Sequence, residues 1–403
     1  MSAASVIDRP PETDEPIPDK TRKARDPLWM RLAVIIGAVL IVVSGGGLIT
    51  IKVLFSSAVS NVGQIDINPG TDNDSVVKGH ALVGALNILL VGIDDGRVEG
   101  VDERKLEPTR ADSIMILHVP ASHDRGYLVS LPRDLWVKIP KYPKTGYGGG
   151  SGKLNQAYTA GFGDARGGGP GQAGGLDLLM RTIKDVTGIT FNAAATVNFT
   201  GFTAAVKVLG GVTMYIDERV TSVHYGFYPD GSHCVPALFD GNGVAYPIKA
   251  CKGRVFEKGT RRLTPEEALD YTRQREWMEL GDGDYGRQRH QQQFIKALVQ
   301  EAKAQGLTTN LPKALSFVKA VGGAVNMWTN NEELADWFLT LKDVAANNVT
   351  MIKTNAGKYN PAPVSGTSAE ALSEQSKEMF QALRTGKIDD FLFLNSDWIN
   401  RDS

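Results

Sequence analysis

Several things are scarce in this chain, and each scarcity narrows the problem. Net charge is close to zero: 44 Lys and Arg against 45 Asp and Glu leave a formal −1 at pH 7. No bulk basic field attracts nucleic acid, so any anionic ligand must be held by a local cluster of positive groups. Cysteine is limited to two residues, Cys234 and Cys251, which lack the CxxC spacing of zinc or thioredoxin sites. The histidines, at 80, 118, 123, 224, 233 and 290, show no metal-binding spacing either. No internal repeat is visible, and no linker sets off a second exported domain. With 42% hydrophobic and 22% charged residues, 403 residues suffice for one large folded domain or two small ones.

Charge is also absent from residues 32–51, LAVIIGAVLIVVSGGGLITI. At ~1.5 Å per residue such a run crosses a ~30 Å hydrocarbon core. Glycines 45–47 weaken it as a helix in water but are tolerated in a membrane. Before it lie Lys20, Arg22, Lys23, Arg25 and Arg31, and a polar, proline-containing stretch, 1–26, that reads as disordered. A cleaved signal peptide would have a shorter apolar core and a small-residue cleavage site. A buried core helix would rarely stay uncharged for so long. The reading is a cytoplasmic tail (1–31), one transmembrane helix (32–54), a stalk (55–80) and an extracellular domain (81–403). Positive charge before the span puts the N-terminus in the cytoplasm and the protein in the cell membrane as a single-pass species. An oxidising exterior makes a Cys234–Cys251 disulfide the natural pairing.

Beyond the stalk, Asn87-Ile-Leu-Leu-Val-Gly92 is a continuous apolar run of the kind expected for a buried strand. Further strands are predicted at 113–119, 126–131, 196–199, 212–216 and 349–353. Helices are predicted at 176–186, 202–209, 286–305, 331–346 and 368–383, and glycine-rich loops at 146–152 and 167–175. Thr264-Pro-Glu-Glu has an N-cap threonine, a proline at the first position and early acids, which mark a helix start. Segment 222–255 reads as an extended excursion pinned by the disulfide. Strands interleaved with helices give one α/β domain of α-β-α type, with a central mixed β-sheet covered by helices and preceded by the membrane helix.

Four charged clusters fall at strand ends or helix starts, where α/β folds commonly bind ligands. They are Asp94-Asp95-Gly-Arg97, Arg110-Ala-Asp112, Pro132-Arg133-Asp134, and Arg273-Gln-Arg275 with Asp284-Tyr-Gly-Arg287 and Gln291. Guanidinium forks give bidentate hydrogen bonds to phosphate oxygens and stay charged. Carboxylates would repel phosphate unless a hard divalent cation lies between them, and Mg2+ (or Mn2+) bound by one or two carboxylates plus phosphate is the usual arrangement. The combination suggests phosphoryl or pyrophosphoryl chemistry. Taken singly, each Arg/Asp pair also reads as a surface ion pair contributing ~0–1 kcal/mol.

The ordered motifs carry a resemblance. Asn87-Ile-Leu-Leu-Val-Gly-Ile-Asp94, Arg110-Ala-Asp112-Ser-Ile-Met, Ser130-Leu-Pro-Arg133-Asp134 and Lys153-Leu-Asn155-Gln-Ala-Tyr158 are similar to those of the LytR-CpsA-Psr family. So are Phe199-Thr-Gly-Phe202, Leu209-Gly-Gly-Val212, Glu267-Ala-Leu-Asp-Tyr271-Thr-Arg273-Gln-Arg275 and Asp284-Tyr-Gly-Arg287, so that the match runs through residues 87–300. The resemblance implies a phosphotransferase that moves a glycopolymer from a polyprenyl-pyrophosphate carrier to the muramic acid 6-hydroxyl of peptidoglycan, releasing polyprenyl phosphate. By position, Asp94 and Asp112 would hold magnesium, while Arg110, Arg133, Arg273, Arg275 and Arg287 would grip the pyrophosphate, with Gln291 adding an amide donor. Two departures stand out. Gly96 occupies the place of the family's usual first arginine, so that Arg97 is carried over one position late. His290 replaces the arginine common three residues after Arg287, and Arg289 and His290 stay outside the catalytic set.

A polyprenyl chain needs an apolar channel. Leu179, Met180, Ile183, Phe202, Val206 and Phe294 either line one or belong to the core. Two other functions share the same phosphate site: a pyrophosphatase acting on the lipid carrier, and a non-catalytic surface scaffold that binds it.

Overall fold

A computed structural model describes residues 63–67, 82–94, 109–163, 169–240, 244–307, 310–321, 325–346 and 349–400. The expected tail and transmembrane helix lie outside these residues, and no helix among the described residues is long and apolar enough to cross a membrane. A mixed seven-stranded sheet organises the body. Its strands are β1 (Gly63–Gln64), β2 (Leu86–Asp94), β3 (Arg110–Val119), β4 (Gly126–Leu131), β5 (Ala193–Val197), β6 (Val325–Trp328) and β7 (Val349–Lys353). They lie in the order β1-β6-β5-β2-β3-β4-β7. The β2–β3 and β3–β4 pairs are antiparallel, whereas β5 runs parallel to β2 and β7 parallel to β4. Within the stretch read as a stalk, β1 pairs with β6 and Ile67 is buried, so the folded body begins before residue 81.

The helices are α1 (Leu154–Phe162), α2 (Gly171–Thr187), α3 (Phe199–Val208), α4 (Pro265–Arg273), α5 (Asp284–Ala304), α6 (Leu311–Val321), α7 (Leu334–Ala346), α8 (Glu374–Arg384) and α9 (Ile388–Leu394). Side chains alternate along a strand, and β2 is buried on both faces. Leu89, Val91 and Ile93 join the core formed with α1, α2 and α8, whereas Leu86 and Ile88 meet Trp337 and Val344 of α7. The result is the covered α/β sheet that the alternation of strands and helices predicts.

Three expectations fail. Gly171, Gly174 and Gly175 are helical, because α1 and α2 cross too closely for side chains: a Cβ on Gly161 would lie 2.2 Å from the Gly174 carbonyl oxygen, and one on Gly174 would lie 2.3 Å from that of Gly161. Residues 150–152, read as loop, belong to the strand Gly150–Lys153 paired with Trp136–Ile139. The late helix starts at Glu374 rather than 368, where Ser373 accepts a hydrogen bond from the Ser376 amide. Helix α4 begins as expected, with Thr264 and Glu267 forming a reciprocal capping box. A second core gathers Val212, Ile216, Phe256, Tyr271 and Phe294 from α4, α5 and the small sheets that follow α3. Within those sheets, Cys234 and Cys251 are disulfide-bonded, their Cα atoms 6.0 Å apart.

Candidate functional site

The site is assembled at one end of the sheet. β2 and β4 finish there, antiparallel β3 starts there, and Asp94 lies opposite Arg110 across the strand pair. The register of this pair slips at Gly92: Gly92 faces Ser113, whereas Ile93 faces Ala111, which leaves Asp112 as the extra residue of a β-bulge. Bulges re-aim side chains at sheet ends. Gly92 permits this one, since a Cβ there would stand 2.9 Å from the Ser113 Cβ.

Arg133 follows β4 in a loop fixed to α1, whose Asn155 amide donates to the Arg133 carbonyl at 3.0 Å and whose Leu154 amide donates to Leu135 at 2.8 Å. Those are N-terminal helix amides that would otherwise lack acceptors. So held, the Arg133 guanidinium donates to Asp112 Oδ1 at 2.5 Å and lies 3.9 Å from Asp284 Oδ1. Arg287 donates from Nη2 to the Asp112 carbonyl at 2.9 Å and approaches Asp284 Oδ1 at 2.7 Å. Burial opposes the charge on both arginines. For Arg133, the carboxylates of Asp112, Asp284 and Asp134 outweigh burial and raise its pKa. For Arg287, burial prevails over Asp284, with Arg133 and Arg275 adding repulsion, and its pKa is lowered. Asp284 itself resists burial through Arg287 and Arg133, and its pKa is lowered.

These groups border a cavity of about 1320 Å³. Its polar end is lined by Arg110, Asp112, Arg133, Arg273, Arg275, Arg287 and Gln291, so the structure brings all of these expected residues together. Arg273 lies 4.4 Å over the Phe199 ring, and Arg275 Nε is 3.5 Å from Glu276. Gln291 is partly engaged, accepting from Ser113 Oγ at 2.9 Å and donating to the Thr272 carbonyl at 3.3 Å. Arg97 lies outside the described residues. Among the described residues, Arg133 Nε, Arg287 Nε and Asn155 Oδ1 are buried with no hydrogen-bond partner. Buried polar groups are ordinarily satisfied, so such atoms beside a cavity mark where a ligand completes the set.

The cavity turns apolar along α5. Arg287 and Gln291 occupy one stripe of that helix, continued by Phe294, Ile295 and Leu298. From Arg287 to Leu298 the stripe rises by ~16 Å. Phe202 stacks on Phe294 with ring centroids 4.3 Å apart, and Leu90, Met115 and Phe317 complete the apolar wall. Leu179, Met180 and Ile183 do not line it: they face the opposite side of the sheet, in the core with α1 and α8. Val206 is buried in the second core. The channel is therefore built by Phe202 and Phe294 but not by the other four expected residues.

Arg289 and His290 turn away. Arg289 binds Asp217 at 2.7 Å and contacts Glu218 and Asp282, while His290 stacks on Tyr271 at 4.4 Å. Asp217, Glu218 and His290 are close enough together to hold a metal ion, but Arg289 already supplies the cation. Cavity-lining residues absent from the sequence-based site set include Asn155, Lys153 and His224, and Asp284, which braces both buried arginines, was absent from it too. Lys153 pairs with Asp134 at 3.0 Å. His224 is pushed down to about 4 by burial and by Arg273 and Arg275, so it is neutral at physiological pH. Asp284, Lys153 and Asn155 stood within the quoted motifs, whereas nothing in the spacing marked His224.

Fold and site together define an α/β protein with an elongated amphiphilic cavity and a positively charged head. The LytR_cpsA_psr family profile matches residues 54–384, and the chain belongs to that family. The chain is 26% identical over 370 residues to the cell wall biosynthesis protein LcpA of Corynebacterium glutamicum, covering 85% of this chain and 63% of that protein. It is 27% identical over 269 residues to the polyisoprenyl-teichoic acid–peptidoglycan teichoic acid transferase TagU of Oceanobacillus iheyensis, covering 67% of this chain and 66% of the relative. The match thus spans less than two thirds of either relative's length. The fold is shared with protein gbs0355 from Streptococcus agalactiae (TM-score 0.55, 21% identity, 77% of this chain and 91% of that one). It is shared also with TagT bound to LI-WTA (TM-score 0.51, 20% identity, 83% and 99%).

Proposed function

We propose that the protein transfers a glycopolymer from a polyprenyl-pyrophosphate carrier to the muramic acid 6-hydroxyl of peptidoglycan. The observation that carries this reading is the single stripe of α5, arginine and glutamine at one end and phenylalanine, isoleucine and leucine beyond, within one cavity. Such a gradient matches an anionic head joined to a hydrocarbon chain. The activity for which TagU is named, a teichoic acid transfer to peptidoglycan, supports the same reading.

The chemistry is a phosphoryl transfer. The acceptor oxygen forms a bond to the phosphorus bearing the polymer, the bond from that phosphorus to the bridging oxygen breaks, the hydroxyl proton is lost, and polyprenyl phosphate leaves. Arg133 and Arg287 face the pyrophosphate from a buried, carboxylate-braced position, and Arg110, Arg273 and Arg275 close the ring of charge. Positioned guanidinium groups neutralise the developing charge without reorganising. Asp112 lies at the polar end, and Asp94 ends the adjacent strand. Carboxylates are the hard oxygen donors that Mg2+ or Mn2+ takes, so Asp94 and Asp112 would supply the donors for such a cation, which would offset phosphate charge when bound. Residues 32–54 would span the cell membrane and hold the body outside, a reading supported by the Cys234–Cys251 disulfide, a bond that persists in oxidising compartments.

Reconstituting the full chain with polyprenyl-pyrophosphate oligosaccharide, peptidoglycan and Mg2+ tests the reading. Polymer-bearing muropeptides are expected in step with polyprenyl phosphate. Free polymer phosphate alone would point to a pyrophosphatase, and binding without turnover to a scaffold.

A further inference from the structure

The disulfide-pinned excursion carries a small β-ribbon whose two faces differ in fate. Ala237–Phe239 pairs antiparallel with Ala245–Pro247, with Leu238 opposite Tyr246 and Phe239 opposite Ala245. Successive residues of a strand point to opposite faces. On the inner face Ala237 is buried, and Phe239 lines the cavity while staying 44% exposed. The outer face is open: Leu238 is 65% exposed and Tyr246 53%, Val244 beside Tyr246 is 48% exposed, and Val235, just before the ribbon, is 51% exposed. The ribbon is braced at its base by the Cys234–Cys251 bond and by the Ile248 amide, which donates to the Pro236 carbonyl at 2.8 Å. A ribbon fixed in this way keeps large apolar side chains in water, which is the mark of a surface awaiting a partner.

We propose that this outer face seats in the apolar boundary of a lipid bilayer, so that a polyprenyl chain passes from the bilayer beside Phe239 into the cavity. The proposal rests on the reading of the substrate as a polyprenyl pyrophosphate. Two observations select a bilayer over another protein. The ribbon is continuous with the cavity, because Phe239 belongs to both. The residues are those of a membrane interface: aliphatic side chains and a tyrosine, followed by exposed Lys249, Lys252 and Lys258, a residue type whose apolar stem and charged head suit such a boundary. Asp230, Asp240 and Glu257 nearly balance the lysines. Insertion is therefore driven by apolar contact more than by charge, and it survives high salt.

The full chain is reconstituted into phosphatidylethanolamine–phosphatidylglycerol vesicles doped with a lipid bearing a photoactivatable group in its acyl chain. It is irradiated, and the adducts are mapped on peptides. Adducts are expected on peptide 235–246. In the Leu238→Ser/Tyr246→Ser variant they fall by about tenfold or more, since both side chains lose their apolar transfer energy, while adducts on the N-terminal peptide are unchanged. An unmarked ribbon, or marking indifferent to the substitutions, would overturn the proposal. An intact disulfide and an unchanged melting temperature verify the variant's fold, and Leu238→Lys alone repeats the test if the double variant is misfolded. Turnover of a short-chain, water-soluble pyrophosphate in the absence of vesicles should match wild type in these variants. If the wild type also fails to turn it over, the transferase reading falls, while the adduct map still judges the docking surface.

Discussion

Arg133 and Asp112 are joined at 2.5 Å across the ends of two strands, and Arg287 donates to the carbonyl of the same Asp112. One bulged residue thus braces two arginines, the first through its side chain and the second through its backbone. Both guanidinium groups keep an unpartnered Nε, so the brace fixes their attitude without using up their donors.

Replacing Arg133 with alanine should lower kcat/KM by about 10²–10³-fold, the range for losing a positioned charge-stabilising donor. Lysine should restore little, because an ammonium cannot reproduce the planar fork shared with Asp112. The rate of polyprenyl phosphate release measures both. Wild-type turnover in either variant would remove Arg133 from the machinery.

Gly92→Ala should destabilise the protein by about 1–3 kcal/mol, as overpacking does, since the new Cβ would stand 2.9 Å from the Ser113 Cβ. Activity should drop with it, because the strain falls on the bulge that presents Asp112. Urea unfolding of Gly92→Ala and of Gly92→Ala/Ser113→Gly provides the check. The second change removes the clashing atom, so stability should return in part.

Phe202→Glu places a carboxylate in the apolar half of the cavity, against Phe294. The KM for a long polyprenyl chain should rise by about tenfold or more, while that of a short-chain analogue stays near the wild-type value. Equal effects on both substrates would mean that Phe202 does not meet the hydrocarbon.

Glu370 gives the stability a pH signature. Tyr285 donates to its carboxylate at 2.6 Å. Burial, opposed by that bond and reinforced by Asp284 and Asp134, pushes its pKa from 4.5 up to about 7. The folded state binds this proton more tightly than the unfolded chain, so the contribution is complete below about pH 4.5 and is lost as pH rises through about 7. Melting temperature should fall by a few degrees over that window, and Glu370→Gln should flatten this part of the profile. An unchanged slope in the variant would assign the effect to other groups.

The parts of the molecule legible in its sequence were those set by local rules. The apolar run ending at Gly92 became β2, and Thr264 with Glu267 capped α4 as their spacing requires. Arg287 and Arg289 stand two residues apart, ~200° around a helix, and they face the cavity and the Asp217 cluster respectively. What escaped depends on a distant partner. Periodicity marks Met180 and Phe202 alike as inward-facing, but only the assembled sheet decides that one meets a core and the other a cavity. Glycines 174 and 175 read as loop because nothing local announces that α1 passes against them. His224 enters the site through the fold of the excursion, which no motif encodes.

Helix α5 answers to three neighbours at once. Arg287 and Gln291 look into the cavity, Arg289 and Gln293 reach Asp217, and Gln292 donates to the Leu128 and Ile352 carbonyls of the central sheet. One residue inserted within α5, between Arg287 and Gln291, would turn everything after it by ~100° relative to Arg287 and break these attachments together. The length of that stretch of helix is consequently held by geometry. Over the generations it can change its letters far more readily than its length.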